Sequence, residues 1–346
     1  MQAAIRKTQA SWSRFRYRIQ HQGLASALNL GVSLWHQILD PKTAPPTRRE
    51  ARITRQRFLR LLERDLENVE QGIYPAELLF QFPMRDYLKI APEGFAELVR
   101  VYRSKRARAS RQVSILGNTD EFPRYYLQNF HWQTDGWLSA RSARLYDIGV
   151  EFLFLGTADI MRRMALRPIV KGLSDPTFSP RVLDLACGTG RFLLQIRRAL
   201  PRARITGLDL SPFYLRHAAA LVGEDDRTAF VQANAESIPF ESESQDAVTS
   251  VYLFHELPKD ARRNVAREAF RVLRPGGRFT ICDSAQLVDN DELEAFLTRF
   301  PAMYHEPFYK GYLRDDLAKI LEEAGFKVVE SDTHLISRVI SAEKLA

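Results

Sequence analysis

The stretch Val182-Leu183-Asp184-Leu185-Ala186-Cys187-Gly188-Thr189-Gly190-Arg191-Phe192-Leu193 contains the features that decide the fold. Its first four residues are typical of a buried strand, and a helical pattern follows Gly190. Gly188 and Gly190 allow the backbone to turn tightly and to approach a ligand with no side chain between them. The stretch therefore predicts a strand, a glycine turn and a helix, with a ligand beside the turn.

The residues around this turn distinguish between kinds of ligand site. A dinucleotide fingerprint has a small residue where Leu193 stands, and a P-loop has Gly-Lys-Ser/Thr, so neither motif is present. The next predicted strand ends at Asp209, whose two carboxylate oxygens can bind a ribose diol. The third strand leads to Asn234-Ala235-Glu236, a polar step suited to an adenine edge. The pattern predicts a site for a nucleoside-containing ligand.

Short β-branched stretches alternate with helical patterns through the second half of the chain. This rhythm predicts an α/β fold with a doubly wound, mostly parallel sheet that binds its ligand at the carboxyl ends of the strands. The predicted strands are 182–185, 204–208, 229–231, 246–251, 278–281 and 326–329, with a final helix over 313–324 before the last of them.

The first half of the chain is predicted to be mainly helical. Apolar spacing indicates helices over 48–71, from Ala91 into the basic cluster 100–111, and over 142–164. Residues 40–47, Asp-Pro-Lys-Thr-Ala-Pro-Pro-Thr, are typical of a linker. We therefore divide the chain into a basic amphipathic segment with a linker (1–46), a helical accessory domain (47–170) and an α/β domain (171–346).

The formal charge of +8 is concentrated at the N-terminus. The first 60 residues hold 12 Lys and Arg but only two acids, Asp40 and Glu50, and the rest of the chain carries a slight excess of acids. A uniformly basic nucleic-acid binder is disfavoured, because phosphate tracking needs cations across the binding face. Two cysteines, Cys187 and Cys282, are too few for a disulfide framework or a Cys-based zinc site. No metal site is predicted.

An uncharged stretch, residues 19–39, has the length of a membrane span but too many polar side chains for one. We expect an amphipathic helix, for which three interpretations are open. The helix packs on its own domain, or it lies in the plane of a membrane with Arg14, Arg16 and Arg18 facing anionic lipid. Alternatively, it belongs to an organelle transit segment. With no secretory signal, we expect a cytoplasmic protein with peripheral membrane contact through residues 1–39. The apolar stripe consists of Leu24, Leu28, Val32, Trp35 and Leu39.

Residues 179–339 resemble the class I S-adenosylmethionine-dependent methyltransferases, in particular the type 11 domain of ubiquinone and menaquinone biosynthesis methyltransferases. Two positions depart from the family pattern, since Ala186 replaces a common glycine and Asn234 stands where Asp is frequent. The resemblance implies a Rossmann-like domain with a seven-stranded, mostly parallel sheet and helices on both faces. In addition to the glycine turn, the segments that match the family are Leu208-Asp209-Leu210-Ser211-Pro212, Glu236-Ser237-Ile238-Pro239-Phe240 and Leu273-Arg274-Pro275-Gly276-Gly277.

The resemblance also implies S-adenosyl-L-methionine as the cofactor. Its methionine part is expected at Asp184 and the glycine turn, its ribose at Asp209 and its adenine beside 234–236, with Tyr146 closing over it. A sulfonium donor carries an already activated methyl group, so orientation and exclusion of water suffice without a metal. The expected cofactor-binding residues are Asp184, Ala186, Cys187, Gly188, Thr189, Gly190, Asp209, Leu210, Asn234, Ala235, Glu236, Tyr252 and Tyr146.

Three segments are candidates for binding the methyl acceptor. Segment 252–258 follows the fourth strand, where His255 or Glu256 can remove a proton, although His255 can equally support the following helix. Segment 125–137 is rich in aromatic residues and contains His131; it forms either a substrate pocket or a domain interface. Segment 300–309 forms a pocket wall or a surface loop. The catalytic candidates are His255, Glu256 and His131.

These observations predict a methyltransferase for a small acceptor with an aromatic or hydrophobic body, such as a quinone precursor, a phenol or a lipid-like molecule. A nucleic-acid methyltransferase is one alternative, but the fourth strand is not followed by the Asp/Asn-Pro-Pro-aromatic arrangement that holds a flipped base. A non-catalytic partner protein is another alternative. The intact glycine turn and Asp209 argue against it.

Overall fold

The structure is a computed structural model that describes residues 2–39, 47–107, 121–133, 135–173, 178–289, 292, 294, 297, 298 and 305–345. Its α/β part contains one sheet with the strand order β3-β2-β1-β4-β5-β7-β6, in which β7 is antiparallel to both neighbours. The other neighbouring strands are parallel. The strands are β1 (Arg181–Leu185), β2 (Arg204–Asp209), β3 (Thr228–Gln232), β4 (Gln245–Val251), β5 (Leu273–Ser284), β6 (Lys327–His334) and β7 (Ser337–Glu343).

The helices confirm the predicted fold class, an α/β part preceded by a helical region. Among the described residues, six helices precede the sheet and five lie within or after it. The first group is α1 (Gln2–Leu39), α2 (Arg48–Glu70), α3 (Met84–Arg106), α4 (Ala140–Leu153), α5 (Ala158–Met164) and α6 (Leu166–Gly172). The second group is α7 (Arg191–Ala199), α8 (Pro212–Val222), α9 (Lys259–Val272), α10 (Tyr309–Tyr312) and α11 (Leu317–Glu323).

The helical region and the sheet share buried side chains. One core cluster joins Leu61 of α2 and Ile160 of α5 to Val182 of β1 and Ile196 of α7. A second cluster packs α9 and α11 against the sheet through residues such as Val265. The predicted domain boundary at 170/171 stays a prediction, but apolar contacts join the residues on its two sides.

Two helix predictions were wrong in their limits. Helix α3 begins at Met84 rather than after Ala91, and it continues through Pro92. The helix packs against α4 and the turn Phe130–Trp132, although an interior proline removes one helical hydrogen bond. The predicted helix 313–324 is α11, which is shorter and is preceded by the separate turn α10. Most of the predicted linker, 40–46, and the end of the basic cluster, 108–111, lie outside the described residues.

The predicted continuous helix 142–164 is interrupted between α4 and α5. Leu155 and Gly156 have φ angles of 52° and 77°, which a right-handed helix does not allow. A Cβ atom on Gly156 would lie 2.7 Å from Leu24 Cδ2, so the close approach of α1 requires a glycine here. The break turns α5 so that it packs on α7, beside the glycine turn.

The strand predictions missed β7 and underestimated the lengths of β5 and β6. Residues 337–343 carry Ser, Arg and Glu among their apolar residues, a pattern that the α/β rhythm does not include. They form a strand because they pair with both β5 and β6. The register is therefore set by neighbours on both sides.

Helix α1 packs on its own chain, as one of the three interpretations predicted. Tyr17 is fully buried and donates a hydrogen bond to the Asp65 carboxylate, and His21 lies 3.3 Å from the carbonyl oxygen of Leu79. None of the described helices combines the length and the apolar content that crossing a bilayer requires.

Arg14, Arg16 and Arg18 of α1, which the membrane interpretation assigned to anionic lipid, each contact other residues of the chain, although Arg16 and Arg18 remain exposed. Arg14 and Arg18 form ion pairs with Glu63 of α2, and Arg14 also pairs with Glu70. The Arg16 guanidinium lies over the ring of Phe80. These residues are therefore engaged by α2 and the turn after it. Membrane contact through residues 1–39 stays a prediction.

Candidate active site

The first cavity lies at the carboxyl ends of β1 to β4 and encloses about 140 Å³. Most of the residues predicted to bind the cofactor line it, and Gly190 and Glu236 are the two that do not. The predicted residues in its wall are Asp184, Ala186, Cys187, Gly188, Thr189, Asp209, Leu210, Asn234, Ala235, Tyr252 and Tyr146.

The turn after β1 has the backbone conformation that its glycines suggested. Gly188 and Gly190 have φ angles of 56° and 82°, and a Cβ on Gly190 would lie 3.0 Å from Ala218 Cβ. Ala186, one of the two positions noted above as departures from the resembled family pattern, has a φ of 53°. His131 and Tyr252, which also line cavities of the site, have φ angles of 53° and 59°. Such left-handed backbone disfavours residues with a Cβ.

Asp209 links the glycine turn to the end of β2. Its Oδ2 accepts a hydrogen bond from the Gly188 N–H at 2.8 Å, and its Oδ1 accepts one from the Ser211 N–H at 2.8 Å. Burial raises the pKa of Asp209 to about 6, although these N–H donors favour the charged form. Each carboxylate oxygen can accept more than one hydrogen bond, so the group retains capacity for a ligand hydroxyl.

Asp184 lies deeper, on β1. Its Oδ1 accepts a hydrogen bond from Thr249 Oγ1 on β4 at 2.7 Å, and burial raises its pKa to about 7. The side chain is almost completely buried, yet it reaches the wall of the cavity. Asp184 therefore joins the two central strands beneath the site.

The aromatic segment 125–137 contributes to the first cavity through Tyr125, Tyr126, Phe130 and Trp137. Tyr125 donates a hydrogen bond to Glu236 Oε1, and the other oxygen of Glu236 accepts one from Asn264 Nδ2 at 2.8 Å. Glu236 thus holds an aromatic wall residue in place. The Trp132 side chain and Thr134, which belong to the same predicted segment, lie outside what the structure describes.

A second, smaller cavity of about 60 Å³ adjoins the first. Tyr146, Tyr252 and Glu256 line both cavities. The wall of the second cavity also contains His131, His255, Ser284, Glu306 and Tyr309, with apolar side chains around them. The structure therefore brings the three catalytic candidates His131, His255 and Glu256 together, where the two cavities meet.

Two histidines and three carboxylates form a connected group beside the second cavity. His131 lies between two carboxylates, with Nε2 2.9 Å from Glu256 Oε1 and Nδ1 3.4 Å from Glu306 Oε1. His255 Nδ1 lies 2.6 Å from Asp283 Oδ1, and its Nε2 lies 3.7 Å from Glu256 Oε1. Glu256 is thus the link between the two histidines.

The charge on His255 follows from its partner. Burial alone lowers its pKa, but the adjacent Asp283 carboxylate raises it to about 10. For His131, likewise, burial lowers the pKa and Glu256 and Glu306 outweigh it, so the net shift is upward. Burial raises the pKa of Glu306 to about 7. At neutral pH His255 is an imidazolium, which can donate a hydrogen bond but cannot accept a proton.

The His255–Asp283 pair is expected to make stability fall at alkaline pH. A histidine has a pKa of about 6.5 when unfolded, and His255 is held at about 10 in the folded state. Its contribution is therefore fully present below about pH 6.5 and is lost as pH rises through about 10. Urea unfolding of the wild type and of His255→Gln between pH 6 and 10 measures this contribution to the free energy of unfolding. The wild type should lose more unfolding free energy than the variant, and parallel curves would contradict the assignment.

His131, Glu256 and Glu306 also form a set that could hold a metal ion, since one ligand atom from each lies within 4.8 Å of the others. In the structure, however, the two ring nitrogens of His131 are directed to different carboxylates. A metal ion would need one nitrogen to face both carboxylates. The arrangement is that of a histidine ring lying between two carboxyl groups.

Sequence reasoning missed Asp283 and did not single out Glu306. Asp283 lies near the carboxyl end of β5, the neighbour of β4, so the position of the strand end is a signal that could have found it. Glu306 belongs to the third predicted segment, whose residues 300–304 lie outside the described part. Its approach to His131 has no signal in the local sequence.

Comparison with known proteins agrees with this geometry. Residues 182–277 match the methyltransferase domain family. The ubiquinone/menaquinone biosynthesis C-methyltransferase UbiE of Syntrophotalea carbinolica is 33% identical over 180 residues, which are 51% of this chain and 72% of that protein. The chain belongs to this family of class I S-adenosylmethionine-dependent methyltransferases. The same family's protein from Bartonella quintana is 39% identical over 142 residues, 40% of this chain and about half (52%) of that relative.

Among solved structures, this UbiE-type methyltransferase is similar to an S-adenosylmethionine-dependent methyltransferase from Methanosarcina mazei. The two are 20% identical, with a TM-score of 0.41, and the match covers 51% of this chain and 97% of the other. The matched domain, 182–277, contains Asp209, His255 and Glu256. It does not include His131 or Glu306, which therefore belong to the parts of the site that the domain match leaves out.

Proposed function

We propose that this enzyme transfers a methyl group from S-adenosylmethionine in the first cavity to a phenol- or quinol-type acceptor in the second. The main support is that the two cavities adjoin and share Tyr146, Tyr252 and Glu256. The wall of the second cavity is mainly apolar and aromatic, with two serines beside the histidine–carboxylate group, which suits a flat acceptor with one or two hydroxyl groups. The names of the relatives, ubiquinone/menaquinone C-methyltransferases, point to the same class.

The first cavity fits the proposed cofactor. A Cβ on Gly188 would meet only the carbonyl oxygen of Ala186, at 3.9 Å, so the space over the turn is open. Asp209 has acceptor capacity for a ribose diol, and Asn234 follows β3 where an adenine edge would lie. Bound there, the cofactor supplies an activated methyl group on a sulfonium.

The residues of this chain then have two tasks, to orient the acceptor and to manage its proton. The acceptor hydroxyl loses its proton to a base, and the oxygen or the adjacent ring carbon forms the new bond to the methyl carbon. The S–CH3 bond breaks with its electron pair on sulfur. If carbon attacks, the ring carbon afterwards loses its own proton to restore the aromatic ring.

Glu256 is the base that we propose. Its Oε1 is held by His131, and its Oε2 is buried with no hydrogen-bond partner among the described residues. The carboxylate is thus oriented and has one oxygen available for the acceptor proton. His255, charged at neutral pH, is suited to stabilise the phenolate that forms. The sequence alternative of His255 as the base is therefore the less favoured one.

The function is tested with purified protein and isotopically labelled S-adenosylmethionine. We expect saturable binding of one cofactor per chain by calorimetry, and label transfer to a member of a panel of phenols and quinols, identified by its mass. Fragments of RNA and DNA serve as the competing acceptors. No saturable binding would contradict the cofactor site, and label found only in nucleic acid would contradict the proposed acceptor class.

A further inference from the structure

Arg162 is a buried charge that lines the first cavity, and it lies on α5, outside the matched methyltransferase domain. Only 4% of the residue is exposed. Its guanidinium carbon lies 5.6 Å from the ring centre of Tyr252, the residue that follows β4. A cation in this position needs an anionic partner, because an uncompensated buried charge is strongly unfavourable.

The strand order places Arg162 at one end of the cavity. Asp209 and Asn234 follow β2 and β3, and Tyr252 follows β4, with β1 between them in the order β3-β2-β1-β4. A cofactor whose ribose and adenine lie at Asp209 and Asn234 therefore extends its amino-acid part across β1 towards Tyr252. Arg162 lies at that end of the cavity.

Arg162 also has hydrogen-bond donors to spare. Its Nη1 donates to Asp159 Oδ1 at 2.7 Å, and its Nη2 is 3.9 Å from Asp147 Oδ1. Within the described part of the chain, neither Nε nor Nη2 of Arg162 makes a hydrogen bond. Arg191, the other arginine in the wall, directs both Nη2 and Nε to Asp159. Arg162 thus has two nitrogens, Nε and Nη2, without a hydrogen bond among the described residues, whereas Arg191 has only Nη1. Of the two arginines, Arg162 is the one whose guanidinium lies over the ring of Tyr252, at the β4 end of the cavity.

The charges around Arg162 limit what that ligand can be. Asp147, Glu151 and Asp159 face Arg162 and Arg191. Burial raises the pKa of Glu151 to about 7, and Asp147 accepts a hydrogen bond from Thr189 Oγ1 at 2.9 Å. A free anion would meet this acidic surrounding as well as the arginines. A zwitterion adds no net charge, because its ammonium group can face the acids while its carboxylate faces Arg162.

We propose that Arg162 binds the α-carboxylate of the cofactor's methionine part, through the donors that Asp159 leaves unused. The assignment rests on the proposed cofactor site and adds to it a residue from the helical region. Helix α5 then takes part in cofactor recognition, and α4 supports the same end through the Asp147–Thr189 hydrogen bond. The guanidinium and carboxylate groups match each other in geometry as well as in charge.

Two ligands separate this role from a structural one. S-adenosylhomocysteine carries the amino-acid part, whereas 5′-methylthioadenosine has the same nucleoside and sulfur without it. Arg162→Gln is expected to weaken binding of S-adenosylhomocysteine by roughly 10- to 100-fold, the loss of a charge-assisted contact, in calorimetry at neutral pH. Binding of 5′-methylthioadenosine should change by less than about threefold.

Arg163→Gln is the matched control, since Arg163 is the next residue of α5, equally buried, and pairs with Asp65 away from the cavity. Arg163→Gln should leave the ratio of the affinities for S-adenosylhomocysteine and 5′-methylthioadenosine unchanged. If Arg162→Gln does not fold, as judged by circular dichroism, Arg162→Lys is measured in the same way. Lysine keeps the charge but loses the planar fork, so we expect the ratio to shift by about three- to tenfold.

Parallel weakening of both ligands, or unchanged binding of S-adenosylhomocysteine, would overturn the role of Arg162. Failure of the wild type to bind S-adenosylhomocysteine would overturn the cofactor site together with it. If the wild type binds S-adenosylhomocysteine tightly through its carboxylate but transfers a methyl group to no phenol or quinol, only the proposed acceptor is contradicted. The proposals therefore fail in distinguishable ways.

Discussion

Replacing Glu256 with glutamine is expected to lower kcat by roughly 10²- to 10⁴-fold and to leave cofactor affinity nearly unchanged. Glutamine has almost the same shape, so the packing between the two cavities is retained. Its amide cannot accept the acceptor's proton, and His131 loses the carboxylate that lies 2.9 Å from its Nε2. The loss should therefore appear in the chemical step.

Initial rates at saturating cofactor and acceptor measure this effect, with Glu224→Gln as the control because Glu224 is exposed and lines neither cavity. The control should keep the wild-type kcat. A Glu256→Gln variant whose kcat stays within about threefold of wild type would show that another group is the base. Glu306 would then be the next residue to substitute, because burial raises its pKa to about 7.

Replacing Asp209 with alanine is expected to weaken binding of S-adenosylmethionine by about 100-fold or more. The change removes the acceptors proposed for the ribose diol. It also leaves the N–H groups of Gly188 and Ser211 without the carboxylate that they donate to, so the glycine turn loses its fixed position. Both effects act on the free energy of cofactor binding.

Calorimetric titration of Asp209→Ala, beside Asp225→Ala, provides the measurement. Asp225 also accepts a hydrogen bond from a backbone N–H, that of Arg227, but it lies on the surface away from the cavity. The Asp225 variant should bind the cofactor as the wild type does. Unchanged cofactor affinity in Asp209→Ala would contradict the ribose assignment, and thermal unfolding of both variants separates a binding defect from loss of the fold.

The parts of the molecule that the sequence predicted well are those determined by nearby residues. The strand–turn–helix around Gly188 follows from local apolar pattern and from backbone freedom, and the structure has β1 and α7 at these positions. The alternation of strands and helices after it predicted the parallel sheet. The predicted ribose position at Asp209 also follows from a strand end, whereas the role of Asp184 was implied by the family resemblance; both residues line the first cavity.

The rest depends on contacts between distant parts of the chain. His255 acquires its charge from Asp283, which is 28 residues later, and His131 meets Glu306 only through tertiary packing. The break at Gly156 reflects the approach of Leu24, more than 100 residues earlier. No local pattern contains these pairs, so residue types alone suggested catalytic candidates without deciding their roles.

The left-handed backbone at His131, Ala186 and Tyr252 has a consequence for how the site meets its ligands. Each of these residues costs the folded state about 1–2 kcal/mol relative to ordinary backbone, and the surrounding packing must supply that free energy before any ligand arrives. Glycine at these positions would relieve the cost, but it would also let the loops visit other shapes. By keeping a side chain at each bend, this enzyme gives up some thermal stability and restricts the conformations of the loops that line its cavities before a ligand binds.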